Sequence, residues 1–274
     1  GWSRSLQTHP TYKVTTLLQH QLLLDQKHKM KSLVASTTLI RLIAIWLGIS
    51  TALVLTIALV SAEPNTRAVI LMGSGLILLW VVICGSLMRW QRDAIRQVFQ
   101  NMGGDWRIKF VLFATLLALI EEAITTSMTN LAPLFGVPVG AAYITASTNY
   151  LDVVCLHSVV VFIPMFIAWA LLLSRYAFSP NAVFLLFGLT GTLAEMSIGG
   201  TQALAEFGMW FFVYGLMVYL PAYCIPAECN ARAARWWHYP LAVLLPFLFT
   251  APVAGIVSFV HPIHIHFPPI KPNY

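Results

Sequence analysis

Charge is scarce in this chain. Asp, Glu, Lys and Arg make up 9% of its 274 residues, against about 25% in ordinary soluble domains. So few polar groups cannot cover a compact globule in water, which excludes a soluble enzyme. A disordered chain is excluded too, since 58% of the residues are hydrophobic and disordered segments are poor in such residues. The basic excess is modest, 16 Lys+Arg to 10 Asp+Glu for a net charge of +6. At this composition it reads as membrane topology and contact with anionic lipid, not as a nucleic-acid footprint. Cysteine is scarce as well. Cys84, Cys155, Cys224 and Cys229 form neither a CxxC pair nor a disulfide framework, and small apolar packing is their expected role. Familiar catalytic signatures are missing: there is no HExxH, Walker loop or GxSxG. No lysine lies in a late apolar run, which excludes a retinal linkage. His157 is the one deep histidine, which argues against a haem held by two.

Long apolar runs are what the chain does have. A spanning helix needs about 20 mostly apolar residues. Seven runs qualify: 38–61, 68–88, 110–130, 149–173, 181–200, 207–226 and 240–260. The expected fold is an all-α integral membrane protein with seven transmembrane helices. Basic residues gather in Arg4–Lys31, in Arg89–Lys109, at Arg175 and at Arg232 with Arg235. Placing all of these inside puts the N-terminus in the cytoplasm and the C-terminus outside. The expected location is a plasma or inner membrane.

Three regions follow. Residues 1–33 lack the apolar core and cleavage site of a signal peptide. Val14, Leu17, Leu18, Leu22 and Leu23 follow helical spacing, as in an amphipathic segment on the membrane or on a partner; a solvated leader fits equally. Residues 34–260 form the bundle. Residues 261–274 form a His/Pro-rich tail outside. Within the bundle, the uncharged link 131–148 is broken by Pro133, Gly136, Pro138 and Gly140. It is either an outer loop or a re-entrant one, the latter only if protein or a water cavity covers it.

Acidic residues inside apolar runs are the main functional signal, because each costs roughly 2.5–3.5 kcal/mol on insertion scales. Glu121, Glu122, Asp152 and Glu195 lie inside such runs, and Glu206 sits at the edge of one. On helical spacing Glu122, Thr126, Thr129 and Asn130 share one face. Thr145, Thr148, Asn149 and Asp152 make a stripe at the outer end of the next span, with His157 deeper. Glu195, Gln202 and Glu206 follow on a third. Successive spans thus bring carboxylates, amides and an imidazole to the outer half of the bilayer. Thr and Asn also serve simply as helix–helix hydrogen-bonding groups. Glu121, Glu122 and His157 are the candidate catalytic residues. Asn130, Asn149, Asp152, Glu195 and Glu206 are the supporting polar pocket.

The tail offers a second constellation. In an extended chain His264 and His266 project to one side, and His261 ends the last span nearby. Neutral imidazoles so spaced suit Zn, Cu, Mn or Fe. The other reading is a tail whose His and Pro residues merely end the span.

Glu121-Glu122 followed by His157 on the next helix resembles the CPBP intramembrane proteases, which include the CAAX prenyl-protein endopeptidases. The resemblance covers residues 110–200 and implies a double glutamate and histidines that activate water. The chain departs from the pattern in three places. Ala123-Ile124-Thr125-Thr126 stands where an arginine is expected, Val153 stands for the Phe of FxxxH, and Glu195 lies near where HxxxN would fall.

Four functions fit these residues. The first is a water-activating membrane hydrolase, metal-assisted or not. The second is a proton- or cation-coupled transporter. The third is a non-catalytic integral subunit of a larger membrane complex, whose partners are other membrane subunits as well as the lipid bilayer. The fourth is a divergent CPBP-like intramembrane glutamate protease. No nucleic acid is expected as a partner.

Overall fold

The computed structural model describes residues 10–200, 206–226, 229 and 231–260, with side chains from residue 34 onward apart from 61, 198 and 199. The tail histidines His261, His264 and His266 and the side chains of the leader lie outside the described residues. The chain is mostly helical. Helix α1 runs Pro10–Ser61, so the leader's helix continues unbroken into the first apolar run. Glu63 then starts a new helix at Pro64, its carboxylate accepting from the Thr66 amide at 3.3 Å. Proline suits this position because the first helical residue has no N–H to satisfy.

From Pro64 the chain stays helical to Asn101: α2 (Pro64–Leu76), a π-helical segment (Ile77–Cys84) and α3 (Gly85–Asn101). The sequence reading ends this span at 88 and places a loop with a short helix after it. The structure carries the helix straight through, because no glycine or proline interrupts Ser86–Asn101. At 38 residues it is about 57 Å long, nearly twice the roughly 30 Å of a bilayer's hydrocarbon core. The polar half of α3 therefore extends beyond the apolar layer.

Helix α4 (Trp106–Asn130) starts at Asp105, whose carboxylate accepts from the Arg107 amide at 2.8 Å and pairs with the Arg107 guanidinium at 3.0 Å. Lys109 turns back to donate to the last carbonyls of the preceding segment, Phe99 O at 2.8 Å and Met102 O at 2.7 Å. A cation there complements the negative end of α3. After a 3-10 turn at Ala132–Phe135, the link folds back over the bundle. Val137 and Ala142 pack with Ala68, Met72 and Met128.

Helices α5 (Tyr150–Leu156) and α6 (Val159–Arg175) are bent by 44° at His157-Ser158. Helices α7 (Pro180–Gly199), α8 (Phe207–Cys224) and α9 (His238–Val260) complete the bundle. One short parallel pair, Tyr176–Ala177 with Arg232–Ala233, ties the α6–α7 turn to the α8–α9 connection.

Four helical stretches are long and apolar enough to cross a membrane: Val34–Val60, Pro64–Asn101, Phe207–Cys224 and His238–Val260. The bent α5–α6 pair makes a fifth if it is one span. The chain thus has the character of an integral membrane protein. Helices α4 and α7, which the sequence reading counts as spans, stand outside that set and carry most of the buried polar residues among those described. In the apolar stretch of α8, 67% of residues are buried, against 17% in those of α1 and α9. Helix α8 is therefore the hub, and α1 and α9 turn most of their apolar side chains outward, as lipid-facing helices do.

In lipid, helices associate through close packing more than through the hydrophobic effect. The α7–α8 contact shows how. A Cβ on Gly188 would come within 2.6 Å of the Phe211 carbonyl oxygen, and one on Gly215 within 2.6 Å of the Phe184 ring. Gly191 likewise lies directly against the Tyr214 ring. Around this contact Phe162, Phe166, Phe187 and Tyr214 interlock edge to face and tilted. Trp80, fully buried, donates its indole N–H to Val213 O at 3.1 Å and fastens the π segment to α8.

The glycine contact predicts that Gly188→Ala lowers stability by about 1–3 kcal/mol, because a backbone oxygen cannot step aside. Gly48→Ala, with nothing within 4 Å, should be neutral or slightly stabilising. Thermal unfolding in mild detergent would compare the two, and equal behaviour would refute the close-packing account. At α4, the Arg107 amide and then its guanidinium hold the Asp105 carboxyl below the usual Asp range. A depressed folded-state value means the cap is fully effective above the ordinary Asp range and is lost as pH falls through the folded value. Protection of the Arg107 amide, corrected for intrinsic exchange, should follow that course and become flat in Asp105→Asn.

Candidate functional site

Helix α4 buries Glu121 and Glu122 almost completely, at 4% and 6% exposure. As neighbours on a helix they point about 100° apart, and they reach different partners. Thr125 Oγ1 lies 2.8 Å from Glu121 Oε1 and 2.9 Å from the Glu121 carbonyl, so one hydroxyl proton serves both acceptors. The hydroxyls of Ser158 and Thr145 lie beside the Glu122 carboxyl, with the Ser158 hydroxyl also 3.3 Å from Val153 O. Ser158 is the N-cap of α6, so Glu122 lies at the positive end of that helix, where negative charge is favoured.

Helix α7 brings Glu195 close enough to both glutamates for their charges to interact. Tyr214 of α8, held at the Gly191 contact, donates its hydroxyl to Glu195 Oε1. Tyr150 of α5 donates to Leu119 O at 2.9 Å and feels the charge of Glu122. Thr126, one helical turn beyond Glu122, buries a hydroxyl oxygen that has no hydrogen-bond partner among the described residues. Among the described residues the ion pairs are Arg92–Asp93 and Arg107–Asp105, so none of them touches the carboxyl cluster. Hydroxyls of Thr125 and Tyr214 donate to Glu121 and Glu195.

The other candidate residues occupy different places. His157 is half-buried at the end of α5, in the bend and next to Ser158. Asn130 donates to Thr126 O at 3.0 Å and Thr148 O at 2.8 Å, stitching the end of the link to α4. Asn149 caps α5 by accepting from the Leu151 amide at 3.0 Å. Asp152 accepts from Ser147 at 3.3 Å. Glu206 stands just before α8, accepts from the Trp210 indole at 3.0 Å, and interacts electrostatically with Glu195. The structure thus joins Glu121, Glu122 and Glu195, sets Glu206 at the rim, and uses Asn130 and Asn149 to shape the link.

Sequence reasoning missed Tyr214, Ser158 and Tyr150. A tyrosine deep in an otherwise apolar span is a usable signal, since its hydroxyl needs a partner there. Ser158 was legible only as the neighbour of His157. Among the described residues no group of three or more His, Cys, Asp or Glu is placed to hold a metal ion.

Removing the Glu195 donor should be costly. Tyr214→Phe is expected to lower stability by about 1–3 kcal/mol, the penalty for stranding a buried acceptor, whereas Tyr214→Phe combined with Glu195→Leu should recover part of it. Additive losses measured by thermal unfolding would show that the two side chains do not act as a pair. No protein-family model, curated protein or solved structure matches this chain.

Proposed function

We propose that this protein is an integral membrane hydrolase in which Glu122 acts as the general base toward water, within a bundle of seven spans. The supporting observation is the joint burial of Glu122 between three elements. Its carboxyl meets Ser158 at the α5–α6 bend and Thr145 of the link, and the unpartnered Thr126 hydroxyl follows on the same face. Broken helix at membrane depth is tolerated where it lines protein or a water-filled cavity, and a polar site with several hydrogen-bonding groups is where a water is held. In this reading Glu122 takes a proton from water as the water oxygen attacks a substrate carbonyl, and then returns it to the leaving group. Glu121, Glu195 and Tyr214 form the adjoining acid–hydroxyl network. His157, in the bend, positions or exchanges protons with the site. Asp152 orients the outer mouth. The resemblance of Glu121-Glu122 and His157 to the CPBP proteases points to the same chemistry and to peptide bonds as the substrate class.

The expected result is that Glu122→Gln lowers cleavage of a quenched fluorogenic peptide in proteoliposomes by about 10²–10⁴-fold, the usual size of a general-base contribution, while the unfolding temperature stays near that of wild type. A variant with full activity would remove Glu122 from the role.

A second reading is favoured by one specific observation. Glu195 interacts with Glu121 and Glu122 on one side and with Glu206 on the other. That series leads from the buried cluster toward the start of α8, as a proton relay would. Under this reading Glu195→Gln should abolish pH-gradient decay in dye-loaded liposomes. Unchanged flux would discard the relay and leave hydrolysis.

A further inference from the structure

Away from the carboxyl cluster, a cavity of about 750 Å3 opens where α1, the end of the π segment, α3, α7 and α8 meet. That size is typical of small-molecule sites. Its polar side is cationic: Arg41, Arg89 and Arg92 line it, and among the described residues no acidic one does. Its other wall is apolar, formed by Val81, Phe184, Phe212 and Leu216. Tyr219 and Tyr223 complete the lining, both beside Arg92.

The nearest acid is already committed. Asp93 accepts from the Tyr223 hydroxyl at 2.5 Å and meets Arg92 only at 3.7 Å. The Arg92 guanidinium lies over the Tyr223 ring, 5.1 Å from its centroid. Arg41 and Arg89 are exposed and take part in no ion pair among the described residues. Three guanidinium groups thus line one cavity, and among the described residues Asp93, paired with Arg92 alone, is the carboxylate that meets them. Guanidinium groups are suited to bidentate phosphate binding.

The location selects the kind of phosphate compound. Arg41 lies near the start of the apolar stretch Val34–Val60, and Arg89 follows the apolar run that ends at Met88. Pro180 begins α7, and Tyr223 lies next to the last residue of α8. These four positions meet around the cavity, where the apolar stretches of α1 and of the Pro64–Asn101 helix give way to polar sequence and where α7 begins and α8 ends. This is the level at which arginine and tyrosine mark a membrane–water boundary. The apolar wall runs from there along the π segment beside α1, the lipid-facing helix. We infer that this cavity binds an anionic glycerophospholipid, its phosphate headgroup held by Arg41, Arg89 and Arg92 and an acyl chain lying along Val81, Phe184, Phe212 and Leu216. The site is separate from the Glu122 centre and does not depend on its chemistry.

The test is a titration of the delipidated protein in mild detergent, followed by thermal unfolding. The probes are short-chain phosphatidylglycerol, phosphatidylcholine of the same chain length, and inorganic phosphate. Phosphatidylglycerol should raise the unfolding temperature saturably, and neither other probe should do so at the same concentration. R41Q/R89Q should weaken the phosphatidylglycerol response at least tenfold. Both side chains are exposed, so the variant is expected to keep the wild-type starting temperature. R67Q, which removes one positive charge at the other end of α2, should respond as wild type does. An equal response to phosphatidylcholine would overturn the inference, as would an unaltered response in R41Q/R89Q or an equal loss in R67Q. Saturation by inorganic phosphate alone would replace the lipid by a free anion and overturn it as well.

Discussion

A polar group inside this bundle must find its partner without water, and the carboxyls of Glu121, Glu122 and Glu195 impose that demand most severely. The chain answers with hydroxyls. Thr125, Thr145, Ser158 and Tyr214 come from four different segments: Thr125 and Tyr214 donate to Glu121 and Glu195, and Thr145 and Ser158 lie beside Glu122. Placing those donors requires the link to fold inward, α5–α6 to bend, and α8 to sit at the centre. Much of the architecture can be read as the supply of donors to a cluster that no lysine or arginine pairs with among the described residues.

The close packing of α7 on α8 belongs to the same demand. Glycines at 188, 191 and 215 let the two backbones approach until aromatic rings fill the space where side chains would stand. That approach aims the Tyr214 hydroxyl at Glu195. Wider separation would leave both groups buried and unsatisfied, a loss comparable to a hydrogen bond for each. Packing and polarity are therefore coupled at this contact, and neither can be altered alone.

Much of this was legible in the sequence. Low charge and long apolar runs identified a helical membrane protein, and acids inside those runs identified Glu121, Glu122 and Glu195 as unusual. Helix α3 was misread at its start because Arg89, Arg92 and Asp93 look like a loop when only hydropathy is followed, whereas helix continues wherever nothing breaks it. The full count of seven spans is a reading from hydropathy and basic loops; length and composition single out four helices, or five with the bent pair. The roles of Asn130 and Asn149 in holding the link and capping α5 rest on hydrogen bonds to backbone, which a linear polar pattern does not reveal. Tyr214 was invisible because its meaning depends on the glycine opposite, and contacts between distant helices leave no periodic trace in one chain.

The two-residue parallel pair between Tyr176–Ala177 and Arg232–Ala233 bears on how such a bundle is made. Its two halves are separated in the chain by the whole of α7 and α8, so it cannot close until both helices have been synthesised. Helices α7 and α8 adjoin in sequence and can pair as soon as they emerge, with little loop to close. The pair then acts as a late fastener that fixes an already assembled hairpin against α6. Assembly would thus proceed from the polar centre outward, with the lipid-facing α9 docking last.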